Sequence, residues 1–227
     1  MIDITSLDFA AVVLLAACWG GFNLVVFRPR TGKQASLSRT MDRYRSKWMA
    51  TMAGRELRMI DTMIQGSVLQ GCTFFASTAI LLVGGLLTLL GASDSALTVV
   101  REIPFAAETS RTLWQIKVLG LVTVLVYAFF KFAWAHRLYT YCIVVMGATP
   151  MDDGSEAASF ARRAARLLDL GALHFDRGIR AYYYTFAATA WFIHPVLFMI
   201  ATVWVTAVLL RREFRSRTRN ILLSEPD

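Results

Sequence analysis

Four long apolar stretches constrain this chain more tightly than any motif it carries. A helix that crosses a bilayer needs roughly 20 mostly apolar residues, and residues 7–27, 64–90, 113–146 and 182–210 each supply such a run. In hydrocarbon a backbone must satisfy its own N–H and C=O groups, which a helix does internally. The expected fold class is therefore all-α: an integral membrane four-transmembrane-helix bundle, one domain over residues 1–227, with amphipathic cytoplasmic helices. Hydrophobic residues make up 56% of the chain and the mean hydropathy is +0.49, too apolar for an ordinary soluble domain.

Lys and Arg are held back on the cytoplasmic side of a membrane. Connector 28–63 holds nine of them and connector 147–181 holds five. With four spans these two connectors share a side, so fourteen face seven: Arg101, Arg111, Arg211, Arg212, Arg215, Arg217 and Arg219. The expectation is a multi-pass protein of a bacterial inner membrane, with loops 28–63 and 147–181 cytoplasmic and both termini periplasmic. The five tail arginines oppose it. An odd number of spans would remove the conflict, but no fifth apolar run is visible. The net charge of +8 follows from these loops; no reading motif accompanies it, so nucleic acid is not an expected partner.

Leu15-Ala16-Ala17-Cys18 resembles a lipoprotein cleavage site. However, the residues before it hold Asp3 and Asp8 and no Lys or Arg, and the apolar run continues to Phe27. A retained first span is the expectation. Cys18, Cys72 and Cys142 each sit inside an apolar run, which reads as small buried hydrophobes rather than a disulfide framework or a metal site.

Two connector segments look amphipathic. Over 38–53, Met41, Tyr44, Trp48, Met49 and Met52 share a helical face, with Arg39, Arg43 and Lys47 elsewhere. This predicts a helix lying on the inner surface, with packing onto the end of the bundle as the alternative. Over 155–171, Ser155 is a plausible N-cap, Phe160, Ala164, Leu167 and Leu168 share a face, and Gly171 is the expected stop. Arg162, Arg163 and Arg166 could meet the anionic headgroups of membrane lipids, the expected partner at the cytoplasmic face.

Charged groups in hydrocarbon are costly and usually face the bundle interior or a cavity. The intramembrane polar candidates are Lys117, Lys131, Asn23, Gln65 and Gln70. Fourteen helical residues turn through about 1400°, which leaves Lys117 and Lys131 within roughly 40° on one stripe. Lys117 is expected to snorkel to the outer interface. Lys131 needs a partner, for which Asp61 and Glu56 are candidates, or it lines a pathway. His136 and His194 fall at similar depth if their helices are antiparallel neighbours, where two imidazoles could ligate a b-type haem. His194 also precedes Pro195, so it could instead satisfy a freed backbone group. Gly66, Ser67, Gly71, Ala76, Ala79, Gly84 and Gly85 permit close packing of the second span, including self-association. The rings of the third span, from Tyr127 to Tyr141, are expected to fill the space opposite them.

No Walker loop, GxSxG, HExxH or GxGxxG occurs, and Asp152-Asp153 beside Gly154 reads as a turn. No catalytic residue, metal site or resident cofactor is expected.

Gly178-Ile179-Arg180-Ala181-Tyr182-Tyr183, followed by Trp191 and Pro195-Val196-Leu197, resembles the last helix of the family catalogued as domain of unknown function 599. Met63 to Ser67 with Ser77 to Leu82 is similar to that family's other signature, and Arg45, Trp48-Met49 and Lys117 fit as well. Ile179 and His194 depart from it, standing where the family carries Asn and Gly. The resemblance implies a multi-span membrane protein of the kind found in bacteria and plants, with Arg180 and Trp48 as anchors at the cytoplasmic face. It implies no activity. The functional expectation is a non-catalytic accessory subunit that self-associates or joins a larger membrane complex. The alternatives are a small solute or ion transporter, and a haem- or quinone-linked redox protein.

Overall fold

The structure is a computed structural model, described over residues 5–27, 36–102, 107–151 and 154–223. In chain order it holds α1 (Ser6–Phe27), α2 (Leu37–Ala53), α3 (Met59–Gly91), α4 (Ser93–Arg101), α5 (Arg111–Gly147), α6 (Ser155–Thr189), a 3-10 turn (Ala190–Phe192), α7 (Pro195–Arg215) and α8 (Arg217–Leu223). Among the described residues every regular element is helical. Four helices, Ser6–Val26, Met59–Gly91, Arg111–Gly147 and Pro195–Leu223, are long and apolar enough to cross a membrane. The Asp152-Asp153 turn lies outside the described residues.

The centre of the bundle is the antiparallel pair α5 and α6. Lys117 meets Trp191 at one end, Phe132 meets Gly178 in the middle, and the Cys142 thiol meets the Ala164 carbonyl near the other. Glycine makes this approach possible. A Cβ at Gly178 would stand 2.6 Å from the Phe132 ring, and one at Gly171 would stand 2.5 Å from the Tyr139 ring. Phe132 is also stacked on Phe75 of α3, with centroids 5.4 Å apart. α3 lies chiefly along α5 and buries Cys72 and Ala79 there. α1 and α7 cover the other flank of α6, through Phe22, Val26, Tyr184 and Leu209.

The expected fourth span, 182–210, is not one helix. The chain breaks between Thr189 and Pro195, and α7 returns along α6: Trp191 stacks on Phe198, and Tyr184 pairs with Thr206. Proline causes the break. The residue before a proline is pushed out of helical geometry; His194 is extended at φ −156° and ψ 137°, and its Nδ1 accepts a hydrogen bond from Val196 N. Pro195 then starts α7, where a missing N–H costs nothing.

Gly171 does not stop a surface helix either. It admits the Tyr139 ring, and the segment 155–171 is the first half of the 35-residue α6. α6 therefore runs the full height of the bundle. The start of α1 and the end of α7 consequently lie at opposite ends, not together as four spans require: Asp8 is bonded to Trp191, whereas Glu213 is bonded to Ser38 of α2.

Two further expectations change. The apolar face of α2 is buried on protein, not lipid: Met49 and Met52 pack with Met146, Ala161, Ala164 and Leu168. Ser36 caps the helix by accepting from Arg39 N. The rings of α5 meet Ala76 and Ala79 of α3, as expected, but the glycines they meet are those of α6, since Gly66, Gly71, Gly84 and Gly85 face open space.

Gly178→Ala is expected to destabilise the bundle by about 1–3 kcal/mol through overpacking against Phe132, read as a lowered thermal midpoint in detergent. Gly20→Ala, into open space on α1, is expected to change it by less than about 0.5 kcal/mol. Equal effects of the two would contradict the α5–α6 contact.

Candidate functional site

Polar side chains gather at the two ends of the bundle. At the first end, α1 begins with a reciprocal cap in which Asp8 N donates to Thr5 Oγ1 and Thr5 N donates to Asp8 Oδ2. The other carboxylate oxygen, Oδ1, accepts from Trp191 Nε1 at 2.7 Å. Lys117 Nζ lies 3.7 Å from Asp8 Oδ1 and donates to the Trp191 carbonyl at 2.9 Å. Lys117 is 1% exposed and Asp8 3%. Lys117 thus does not snorkel. It is charge-paired inside the bundle, and it satisfies a carbonyl freed where α6 gives way to the 3-10 turn. This network joins α1, α5 and the α6–α7 corner, and its role is to close that end.

The second end is built on α2. Asp61, fully buried, accepts from Trp48 Nε1 and from Arg55 Nη1, each at 2.6 Å. One turn on, Gln65 is fully buried and makes no side-chain hydrogen bond. Arg58 donates to the carbonyls of Ala53, Met146, Thr149 and Pro150, and so ties the last turn of α5 to the end of α2. On the opposite flank Arg45 bridges Asp42 and Asp169. Burial works against the charge of Arg45, but the hydrogen bond and charge of Asp169, joined by Asp42, outweigh it and hold the guanidinium pKa above its ordinary value. Ser38 donates twice, from N to Glu213 at 3.1 Å and from Oγ to Asp176 at 3.4 Å.

Between these groups lie two adjoining cavities of about 210 and 280 Å3. Both are lined by Ser38, Arg45, Asp176 and Arg180. The larger one adds Phe22, Met41, Leu209 and Glu213. A roomier groove of about 410 Å3 runs between α2 and the start of α6. Half of its lining is alanine, with Arg162, Arg166 and Asp169 beside it, and more charged groups converge on the α2-end cavities, which are the candidate site.

The remaining expected residues do not converge. Lys131 lies over the Tyr127 ring at 5.0 Å and has no ion pair with Asp61, whose partners are Trp48 and Arg55. Glu56 is exposed in the connector after α2, and Gln70 is exposed on the outside of α3. Asn23 donates back to the Trp19 carbonyl. His136 is exposed on α5, while His194 caps α7 just beyond Phe192, which packs on Trp114. Trp114 and His136 are separated by about 30 Å of helix, so the two histidines are not at similar depth and do not face each other. Among the described residues no three His, Cys, Asp or Glu side chains are placed to hold a metal.

Trp191 was picked out only as part of the family signature, and Asp8, Ser38, Asp176 and Glu213 were not picked out as site residues. One signal existed: Asp176 and Arg180 stand four residues apart, on one face of α6, in an otherwise mostly apolar stretch. Removing one partner of a buried pair leaves an uncompensated charge, so Lys117→Met is expected to cost about 3–5 kcal/mol, read by thermal unfolding. Asp8→Leu with Lys117→Met is expected to recover most of that loss. A Lys117→Met chain as stable as the parent would show that the pair does not hold the end closed.

No curated protein and no solved structure matches the chain. A family model does: the one described as Protein of unknown function, DUF599, matches residues 10–218, nearly the whole length, and the chain belongs to that family.

Proposed function

We propose that this is a non-catalytic, five-crossing inner-membrane protein of the bacterial type that self-associates through α3, as the core or an accessory subunit of a membrane assembly. The observation that carries the reading is the outer face of α3. Gly66, Gly71, Gly84 and Gly85 have nothing within 4 Å of where a Cβ would stand. Without a hydrophobic force between helices in lipid, close backbone approach at small residues is what drives association. The chain's own rings do not use these glycines, so a second copy is the occupant proposed.

Five crossings also change the charge count. The α2 end then carries both arginine-rich connectors and the tail, nineteen Lys and Arg against Arg101 and Arg111 at the other. That asymmetry supports a cytoplasmic α2 end and C-terminus, with the N-terminus outside. A transport reading loses its motive residues: Lys117 is closed in an ion pair, Gln70 faces outward, and Lys131 lies over the Tyr127 ring. A shared haem between His136 and His194 is excluded by their separation.

Two measurements test this. Single cysteines placed at Gly84 and Gly85, in a chain whose own cysteines are replaced, are expected to cross-link between copies in membranes, and one at the exposed Trp204 of α7 is not. Cross-linking at Trp204 alone, or free monomer as the only species from mild detergent, would contradict self-association through α3. For sidedness, Glu108→Cys is expected to react with an impermeant maleimide on intact cells, and Arg217→Cys only after permeabilisation. Reaction of Arg217→Cys on intact cells would overturn five crossings.

A further inference from the structure

Arg180 is a buried charged group of the α2 end that has acids nearby but leaves one hydrogen-bonding edge unfilled. The residue is 6% exposed, and its Nε and Nη2 atoms make no hydrogen bond. Those two nitrogens share one edge of the guanidinium. Their N–H groups form the fork that matches two oxygens of a carboxylate or phosphate. The flat of the group lies over the Phe22 ring at 5.4 Å. The acids nearby are drawn elsewhere. Ser38 engages both Glu213 and Asp176, and Arg45 engages Asp42 and Asp169. A buried donor left unmatched costs about 1–3 kcal/mol, more for a charged group, and Arg180 lines both cavities, so its unfilled fork points to an anionic group.

The cavity narrows the chemistry further. One side is apolar, with Phe22, Met41 and Leu209, and it lies between α1, α2, α6 and α7 at the end of the bundle. The charged lining is Asp176 and Glu213 together with Arg45, Arg180 and Arg212. A ligand of net negative charge would meet these two carboxylates. One that carries an ammonium beside its phosphate would satisfy both signs. The volume, about 280 Å3, is at the small end for ligand sites and admits a headgroup rather than a whole lipid.

We propose that this cavity holds the headgroup of a zwitterionic aminophospholipid. The phosphodiester oxygens sit on the Arg180 fork, the primary ammonium lies beside Asp176 and Glu213, and the acyl chains leave along the apolar side. This rests on the reading above that the α2 end lies at headgroup level.

The test is native mass spectrometry on the delipidated full chain, titrated with phosphatidylethanolamine, with phosphatidylglycerol, and with inorganic phosphate as competitor. The expected result is one retained phosphatidylethanolamine, bound in preference to phosphatidylglycerol and not displaced by phosphate. Arg180→Lys keeps the charge but loses the fork, and is expected to weaken that binding about tenfold or more. Asp176→Asn is expected to abolish the preference between the two lipids while leaving binding in place. Equal binding by Arg180→Lys and the parent would overturn the proposal. So would a preference for phosphatidylglycerol, or displacement by inorganic phosphate, which would make a soluble phosphate the ligand. If Arg180→Lys fails to fold, an unchanged lipid preference in Asp176→Asn overturns it alone. Self-association is read separately, as the protein mass in the same spectra.

Discussion

Everything in this bundle depends on how closely α5 and α6 approach each other. The two helices run antiparallel with aromatic rings of one seated on the glycines of the other, Phe132 at Gly178 and Tyr139 at Gly171. In lipid there is no hydrophobic gain from bringing two apolar helices together, so close packing must supply the association energy. The rings give large contact areas, and the glycines remove the atoms that would hold the backbones apart. Once α6 is fixed along α5, its length places Trp191 at Lys117 and Asp8, and brings Ser38, Arg45 and Glu213 around Arg180. Both polar ends are consequences of that one seam.

The two ends are used differently. At the Asp8 end each charge has a partner and the corner carbonyl has a donor, so the network is closed and structural. At the α2 end the acids and arginines are more numerous than the pairs they make. Ser38 holds two carboxylates and Arg45 holds two more, while the Arg180 fork makes no hydrogen bond and the residue lines both cavities. Partly matched polar groups in a low-dielectric site are expensive. Trp114 Nε1 at the Asp8 end is also unmatched but neutral, whereas the unmatched atoms of Arg180 are charged and belong to a residue that lines the cavities, which is what separates a candidate site from a staple. The separation also matches the charge count, since the cationic end is the one built to meet lipid headgroups or cytoplasm.

Much of the fold was legible because hydrocarbon permits so few backbone forms. The helical class, three of the spans, the α2 segment and the family all follow from apolar runs, spacing and the Gly178–Tyr183 stretch. α6 was not legible as a helix of full height. Its second half carries Asp176, Arg177 and Arg180, which dilute the apolar signal, and Gly171 reads as a stop when it is a seat for Tyr139. The same dilution merged the second half of α6 with α7 into one apparent span, although Pro195 marks the break. The five tail arginines were the one sign in the sequence that sat badly with that single span. At the sites, Lys117 was visible as an intramembrane cation, but its partner was hidden: Asp8 sits in the first turn of α1, 109 positions away in sequence, where an acid reads as an ordinary helix start.

The central claim is that α6 is one unbroken helix from the α2 end to the Asp8 end. It is tested most directly by spin labels on the exposed positions Glu156 and Thr189, with the distance between them measured in nanodiscs by pulsed electron resonance. A continuous helix places them about 50 Å apart. A distribution centred well below about 40 Å would mean that the chain bends near Gly171, leaving four crossings, and the full-height α6 on which both polar ends depend would not exist.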